Sequence, residues 1–371
     1  MRSVRGTGGG PEKTILLGAA RSDPSEYDVT VCYIRDQRDQ IFGPQTKAKG
    51  LPIDYREIFE KNSFDPFIWP QIRALIREKK IDIIHAHDYK TDLLTLLLAK
   101  KDKAIPLSTA HGWTGHSKRE QVYYRADKML LKLFPKVIAV SSEIRNELIK
   151  HGIAHNKAKV ILNGIDPQAF KKIPGQCENA DQRLGLPSNK IIIGSVGRLE
   201  PQKNFDLLME VFSELRKCHD NIFLAIAGDG SLNSHLQEKI GLLKLEDSCK
   251  LLGHQNDVTL LHHAFDLFVQ SSDYEGTANT ILEAMALETP IVATDAGGTA
   301  ELVRDGIEGI IVPTKNHSAL RDAIKKVLEK REDAVIRSKA ARIRIETDLS
   351  FNTRMQKVEA LYRELMQNKN N

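Results

Sequence analysis

The sequence predicts an α/β protein made of two doubly wound domains, each a parallel sheet with helices on both faces. Three observations carry this prediction. Short apolar runs of strand length alternate with amphipathic runs of helical period along most of the chain, the pattern of successive β-α units. A polar stretch from Lys171 to Asn189, with Pro174, Gly175, Gly185 and Pro187, interrupts that pattern and reads as a linker. The alternation then restarts at Ile191. A chain of 371 residues can supply two domains with a core each. The expected division is 1–173, 174–349 and a terminal segment 350–371.

The elements follow in order. Asp28 to Ile34 reads as a strand, and Phe67 to Lys80 as a helix opened by Pro66. Ile81 to His87 and Ile105 to Ala110 are strands flanking a helix from Thr91 to Lys101. A long helix, Lys118 to Leu133, leads to the strand Val137 to Val140 and the helix Glu143 to His151. Val160 to Leu162 closes the first half, ending in the turn cluster Asn163-Gly164-Ile165-Asp166-Pro167. In the second half, Ile191 to Val196 is a strand and Asn204 to Lys217 a helix, with Asn204 as its cap. Ile222 to Ala227 is a strand ending in Gly228-Asp229-Gly230, with Ser231 opening the next helix. Lys250 to Leu252, Leu267 to Gln270, Ile291 to Ala293 and Ile310 to Val312 continue the sheet. Helices are expected at Val258 to His263, Asn279 to Leu287, Leu320 to Lys330 and Asn352 to Met366. Two such domains leave a cleft between the carboxyl ends of their strands, where ligands of these sheets bind.

Composition narrows the function classes. With 41% hydrophobic and 28% charged residues the chain is globular, not disordered. The longest apolar run, Leu93 to Ala99, is too short to span a bilayer, and the N-terminus shows no apolar signal segment. A cytoplasmic protein is expected. Cys32, Cys177, Cys218 and Cys249 are scattered and read as reduced thiols, not a zinc site. Lys and Arg exceed Asp and Glu before residue 173, and the balance reverses after it. A basic first half suggests an anionic partner. Its basic residues lack interleaved stacking aromatics, which argues against nucleic acid. An anionic membrane surface or a phosphorylated lipid fits better, and a basic surface that is merely solvated remains the alternative.

Several motifs carry chemistry. Gly6 to Thr14 looks like a phosphate loop but lacks a Gly immediately before Lys13, and no apolar strand precedes it, so an ATPase is not indicated. His85-Ala-His87 ends a strand with two imidazoles on one face. They suggest a metal, or hydrogen-bonding groups lining a cleft; without a third ligand cluster the second reading is preferred. His111 ends the next strand, at a catalytic position or as a structural histidine. Arg198 and Lys203 flank a helix start, where two cations can bracket a pyrophosphate or simply be solvated.

The densest signal is Glu275-Gly-Thr-Ala-Asn-Thr-Ile-Leu-Glu283-Ala-Met-Ala. A loop of small residues, Gly276 to Asn279, precedes an apolar helical run that contains a second carboxylate, Glu283. A helix N-terminus attracts phosphate. If the helix starts near Gly276, positions 276, 279/280 and 283 share one face. A nucleotide sugar suits that geometry, with its pyrophosphate at the amides and its ribose diol at Glu283. A helical glutamate is more often solvated, so this window alone leaves Glu283 open.

Three segments together resemble a known family. They are Gly194-Ser-Val-Gly-Arg198-Leu-Glu-Pro-Gln-Lys203-Asn, Ala227-Gly-Asp-Gly-Ser, and Glu275 to Ala286. In this order the chain resembles a GT-B fold, retaining glycosyltransferase of family 4. Gly8-Gly9-Gly10-Pro11-Glu12, His85-Ala-His87, Ala110-His111-Gly112 and Val160 to Asp166 agree with it. The resemblance implies two Rossmann-like domains, an N-terminal one for the acceptor and a C-terminal one for the nucleotide sugar. It also implies a terminal helix crossing back onto the first domain. By the same resemblance Arg198 and Lys203 hold the donor diphosphate, and the amides of Gly276, Thr277, Ala278 and Asn279 its distal phosphate. Glu283 binds ribose, Glu275 orients the transferred sugar and His111 lies beside it. Gly8, Gly9 and Gly10 form the acceptor-side loop. No metal or other cofactor is implied, and the acceptor is expected to be a glycan or lipid-linked intermediate at the inner face of a membrane. A nucleotide-sugar epimerase of the same fold, and a non-catalytic binder of an anionic polymer, are the alternatives. In this family an apolar strand leads into the glycine loop; here only the short, polar Met1 to Arg5 stands there.

Overall fold

A computed structural model describes residues 1–4, 10–38, 48, 50–62, 65–113, 118–173, 175–276 and 278–370. The chain divides into two compact units, Met1–Asn163 with Phe351–Asn371, and Gly164–Ser350. Among the described residues every strand ladder is parallel.

The first unit contains β1 (Arg2–Val4), β2 (Thr30–Asp36), β3 (Asp54–Glu60), β4 (Ile83–Ala86), β5 (Ile105–Ala110), β6 (Lys136–Ala139) and β7 (Ala158–Val160). They form the ladders β1-β2-β3 and β4-β5-β6-β7. β1 runs beside β4, since the Met1 nitrogen donates to His85 O at 2.6 Å and Ser3 N–H to Asp88 Oδ2 at 2.7 Å. The three residues Arg2–Val4 thus supply the strand that precedes the glycine loop, pairing with β2 from Arg2↔Tyr33 to Val4↔Arg35.

Side-chain alternation sorts the core onto two faces. Leu107 and Ile138 pack with Phe351, Met355, Val358 and Leu361 of the Phe351–Asn370 helix. Val137 and Ala139 point the other way, onto Phe134, Ile144 and Leu148. The terminal helix is therefore one of the layers of the first unit. It also packs on the Gly10–Arg21 helix, where Gly18 leaves room for Met355 Sδ.

The second unit contains β8 (Ile191–Val196), β9 (Ile222–Ala227), β10 (Cys249–Gly253), β11 (Leu267–Gln270), β12 (Ile291–Thr294) and β13 (Ile310–Val312). Their order is β10-β9-β8-β11-β12-β13. The chain builds outward from β8 on one side, then returns to place β11 on the other. A single core joins the sheet to the Phe205–Arg216, Asn233–Leu242 and His317–Glu329 helices.

Two boundaries differ from the sequence reading. The units part at Asn163/Gly164, ten residues before the expected 173, because the segment after Gly164 belongs to the second unit. Ile165 N–H donates to Leu349 O at 3.0 Å, and the Arg342 guanidinium donates to the carbonyls of Pro167 and Phe170 at 2.8 and 2.6 Å. The stretch read as linker also holds a helix, Cys177–Leu184, anchored by the buried Ala180 and Leu184.

Candidate functional site

In the second unit the reversal of strand order sets β8 against β11, and the loops leaving their carboxyl ends must meet. After β8 comes Gly197, whose N–H donates to Ala227 O at 3.0 Å. A Cβ at Gly197 would stand 2.8 Å from Lys203 Cε, so glycine here lets the lysine lie across the turn. Arg198 is exposed and donates to Gln202 Oε1 at 3.4 Å. Asn204 takes the left-handed conformation (φ +46°) and caps the Phe205–Arg216 helix by accepting the Leu207 N–H at 3.2 Å.

The loop after β11 is bound to this turn at several points. The Ser271 hydroxyl donates to Lys203 O at 2.9 Å, the Asp273 N–H to Gln202 O at 2.9 Å, and Asn204 Nδ2 to Asp273 Oδ1 at 2.8 Å. The result is a contact that spacing alone does not reveal. Lys203 Nζ donates to Glu275 Oε1 at 2.5 Å, and Ser272 Oγ donates to the same oxygen at 2.7 Å. The two charged side chains are only 12% and 8% exposed, so the pair is largely desolvated.

Glu275 is held from behind by Gly297. A Cβ on Gly297, whose φ is +60°, would fall 1.7 Å from Glu275 O. Gly297→Ala should therefore displace the Glu275 loop and lower the unfolding temperature by about 5 °C or more, read by calorimetry. An unchanged transition would show that the loop can give way freely.

The helix that follows starts at Asn279, not near Gly276, and runs Asn279–Ala286. The stretch before it stays extended at Ala278 (φ −76°, ψ 103°), which provides no side-chain cap. With no acidic residue in its first turn either, the helix start keeps its N–H groups and positive dipole end without a carboxylate of its own. Ala278 and Asn279 lie at this start, and Gly276 accepts the Gly298 N–H at 3.3 Å one loop earlier. Thr277 lies outside the described residues. The residues sharing a face with Glu283 are thus Asn279 and Thr280. Glu283 is buried (5% exposed) in the run between Leu282 and Ala284, and it is not without a partner. The Thr280 hydroxyl is buried too, with no hydrogen-bond partner among the described residues.

In the first unit the histidines form one stack. His85 Nδ1 lies 2.9 Å from Tyr362 Oη and its Nε2 2.7 Å from Thr109 Oγ1. The His85 and His87 rings stack at 4.4 Å, and His87 Nδ1 lies 3.2 Å from His111 Nε2. Burial pushes all three imidazoles well below the usual histidine range, so they are neutral near pH 7. His111 is thus fixed by a neighbour that sequence places 24 residues away. Arg2 completes the group, donating to Glu12 Oε1 at 2.5 Å and to His87 O at 2.9 Å. Gly10 is the first residue of the Gly10–Arg21 helix, while Gly8 and Gly9 lie outside the described residues.

Beyond His111, Trp113 Nε1 donates to Asp127 Oδ2 at 3.0 Å. Asp127 and Asp92 are both buried, and loss of hydration raises both carboxyls, Asp92 well above its ordinary value. A carboxyl raised on folding makes the folded state bind more protons, so its contribution is lost as pH rises through the folded value. Asp92→Asn should raise the unfolding temperature relative to wild type at about pH 8, and less at about pH 5. An equal change at both pH values would contradict this.

Sequence reasoning missed Ser272, Gln202 and Gly297. Weak signals existed for two of them: Ser271-Ser272 at a strand's carboxyl end, and Gly297-Gly298 in a turn after the next strand.

Two doubly wound units of this kind, with cations and an uncapped helix at a strand switch point, define a GT-B type protein. Solved structures agree on the fold. Anabaena HepE in complex with UDP superposes with a TM-score of 0.84 at 22% identity over 98% of each chain. A glycosyltransferase from Rickettsia africae ESF-5 gives 0.82 at 25% identity, over 99% of this chain and 98% of that one. Residues 177–344 match the family described as Glycosyl transferases group 1, and residues 8–169 the one described as Glycosyltransferase Family 4. The second half of the chain thus resembles the group 1 glycosyltransferases, and the first half the family 4 glycosyltransferases. Among its relatives is the Escherichia coli UDP-Gal:alpha-D-GlcNAc-diphosphoundecaprenol alpha-1,3-galactosyltransferase, 29% identical over 80% of this chain and 78% of the relative. The lipopolysaccharide core biosynthesis mannosyltransferase LpsB of Rhizobium meliloti is 31% identical, over 56% and 61% respectively.

Proposed function

We propose that the protein moves a sugar from a nucleotide-diphosphate sugar to a lipid-linked or polysaccharide acceptor, with retention of anomeric configuration, as a family 4 enzyme. The observation that carries this is the Lys203–Glu275 pair beside the uncapped start of the Asn279–Ala286 helix, with Glu283 buried in that helix. In this reading Arg198, Lys203 and the amides of Gly276 to Asn279 take the diphosphate. One ammonium proton of Lys203 is engaged by Glu275, which leaves two for phosphate oxygens. These cations and the helix dipole stabilise the leaving diphosphate, so no metal is assigned to the step. Glu283 takes the ribose hydroxyls. Glu275 orients the transferred sugar, and the neutral His111 is assigned to that sugar by the family resemblance. The glycine loop of the first unit is assigned to the acceptor.

The relatives named above support the acceptor class through what they act on. Glu275→Gln should cut turnover strongly while leaving nucleotide affinity unchanged or tighter, because it removes the carboxylate that competes for Lys203. Glycoside formation from UDP-, GDP- and ADP-sugars, followed by NMR, tests the whole reading. A product of inverted configuration would refute retention, and an altered donor sugar without acceptor would point to the epimerase.

A further inference from the structure

One cation of the first unit is sealed into the fold without an oxygen acceptor among the described residues. Arg354 stands in the first turn of the Phe351–Asn370 helix and is 6% exposed. Its Nε has no hydrogen-bond partner there, and Nη1 reaches only Met355 Sδ, at 3.7 Å. The Phe351 ring lies 5.7 Å from the guanidinium carbon. A thioether and a ring face are weak partners for a buried cation. Loss of hydration pulls the guanidinium down to about 10, so it is still charged near pH 7. Arg35 shows how this fold pairs another buried arginine: it is 8% exposed and lies 3.1 Å from Glu57 Oε2. Leaving a guanidinium buried and unpaired is destabilising, so packing alone does not account for Arg354.

Its surroundings place it near the stacked histidines. Across from it, on the Gly10–Arg21 helix, is Gly18; a Cβ there would stand 4.0 Å from Arg354 Nη1, so the absent side chain leaves the guanidinium room. Burial, and after it nearby cations that include Arg354, lower the His85 and His111 imidazoles. The other arginine acting on His111, Arg2, is engaged by Glu12. An anion that comes to His111 therefore meets Arg354 as a cation with no described carboxylate on it. A guanidinium presents a planar fork of N–H groups that fits two phosphate oxygens at once.

We infer that Arg354 receives a phosphoryl group of the acceptor. The inference deepens the proposed lipid-linked acceptor, whose sugar is carried on a phosphate or diphosphate, and rests on that reading. The phosphoryl group supplies the counter-charge that the fold withholds, so binding offsets the cost of the unpaired cation. The carboxylate of an acidic sugar presents two oxygens to the same fork, and free phosphate presents the same group without a lipid; the test separates these sources.

The test is calorimetric titration of geranyl diphosphate into the full chain, with geraniol, inorganic pyrophosphate and glucuronate as comparisons. Geranyl diphosphate should bind the wild type more tightly than any of the three. Arg354→Met should weaken it about 10- to 100-fold, the loss of charge-assisted hydrogen bonds. The same variant should raise the unfolding temperature, because an apolar side chain replaces an unpaired buried charge. Arg354→Lys, which keeps the charge, should lose less affinity than Arg354→Met. Lys203→Ala should leave the affinity unchanged, which separates this site from the proposed donor site. Unchanged affinity in Arg354→Met, a lowered unfolding temperature in that variant, equal losses in the Met and Lys variants, or a loss with Lys203→Ala in place of Arg354→Met would overturn the inference. Tighter binding of pyrophosphate or glucuronate would also overturn it. Arg354-dependent binding of geranyl diphosphate by a protein that binds no nucleotide would uphold it and refute the proposed donor.

Discussion

Lys203→Ala lowers turnover with the nucleotide sugar by about 100- to 1,000-fold, the usual effect of deleting one preorganised donor to developing negative charge. The lysine is placed for this by three features that converge on it: the missing side chain at Gly197, the Ser271 hydroxyl on its carbonyl, and Glu275 on its ammonium. The substitution also strands Glu275, which is 8% exposed, without its cation. Part of the loss could therefore be structural, since breaking a desolvated pair from one side is destabilising. Lys203→Met/Glu275→Gln separates the two effects. The double variant should recover unfolding temperature and not nucleotide affinity, which Glu275→Gln alone leaves intact. Recovery of both would mean that the lysine only neutralises its neighbour.

Glu283→Gln raises the Kd of the cognate nucleoside diphosphate about 10- to 100-fold, the cost of replacing charge-assisted hydrogen bonds to a diol by neutral ones. The carboxylate lies among Ile281, Leu282, Ala284 and Met285, all essentially fully buried, where bulk water cannot take the place of a ligand hydroxyl. The sharper form of this prediction uses the 2′-deoxy nucleotide. It should bind worse than the ribonucleotide to the wild type, and the difference should shrink in Glu283→Gln. If both nucleotides lose affinity equally in the variant, Glu283 supports the helix rather than the ribose.

What could be read from sequence followed from local pattern. The strands Ile105–Ala110, Ile191–Val196, Ile222–Ala227 and Leu267–Gln270 are bounded runs of apolar residues, and they stand at the expected positions. The Glu-x7-Glu segment announces a loop and a helix start within twelve residues, while the burial of Glu283 is supplied by the fold. Elements without large apolar stripes were not legible. The Arg331–Thr347 helix buries Ala334, Ser338, Ala341 and Ile345, a stripe of mostly small side chains that lets it pack closely. β3 is a charged edge strand, Asp54–Glu60, paired on one side only.

The site's central contact was hidden for a different reason. Lys203 and Glu275 are 72 residues apart, and they meet because β8 and β11 are neighbours in a sheet whose order reverses there. Sequence presented them as two independent ligands, one for phosphate and one for sugar. Their pairing adds to the sugar role proposed for Glu275 a second one, competition with phosphate for the lysine. The same holds for His111, whose link to His87 depends on β4 and β5 lying side by side.

The most direct test of the donor site is isothermal titration of UDP, GDP and ADP into the wild type, Lys203→Ala and Glu283→Gln proteins. One nucleotide should bind the wild type measurably and lose affinity in both variants. Binding that survives both substitutions unchanged, or no binding of any nucleotide to the folded wild type, would contradict the assignment of these residues to a nucleotide-sugar site.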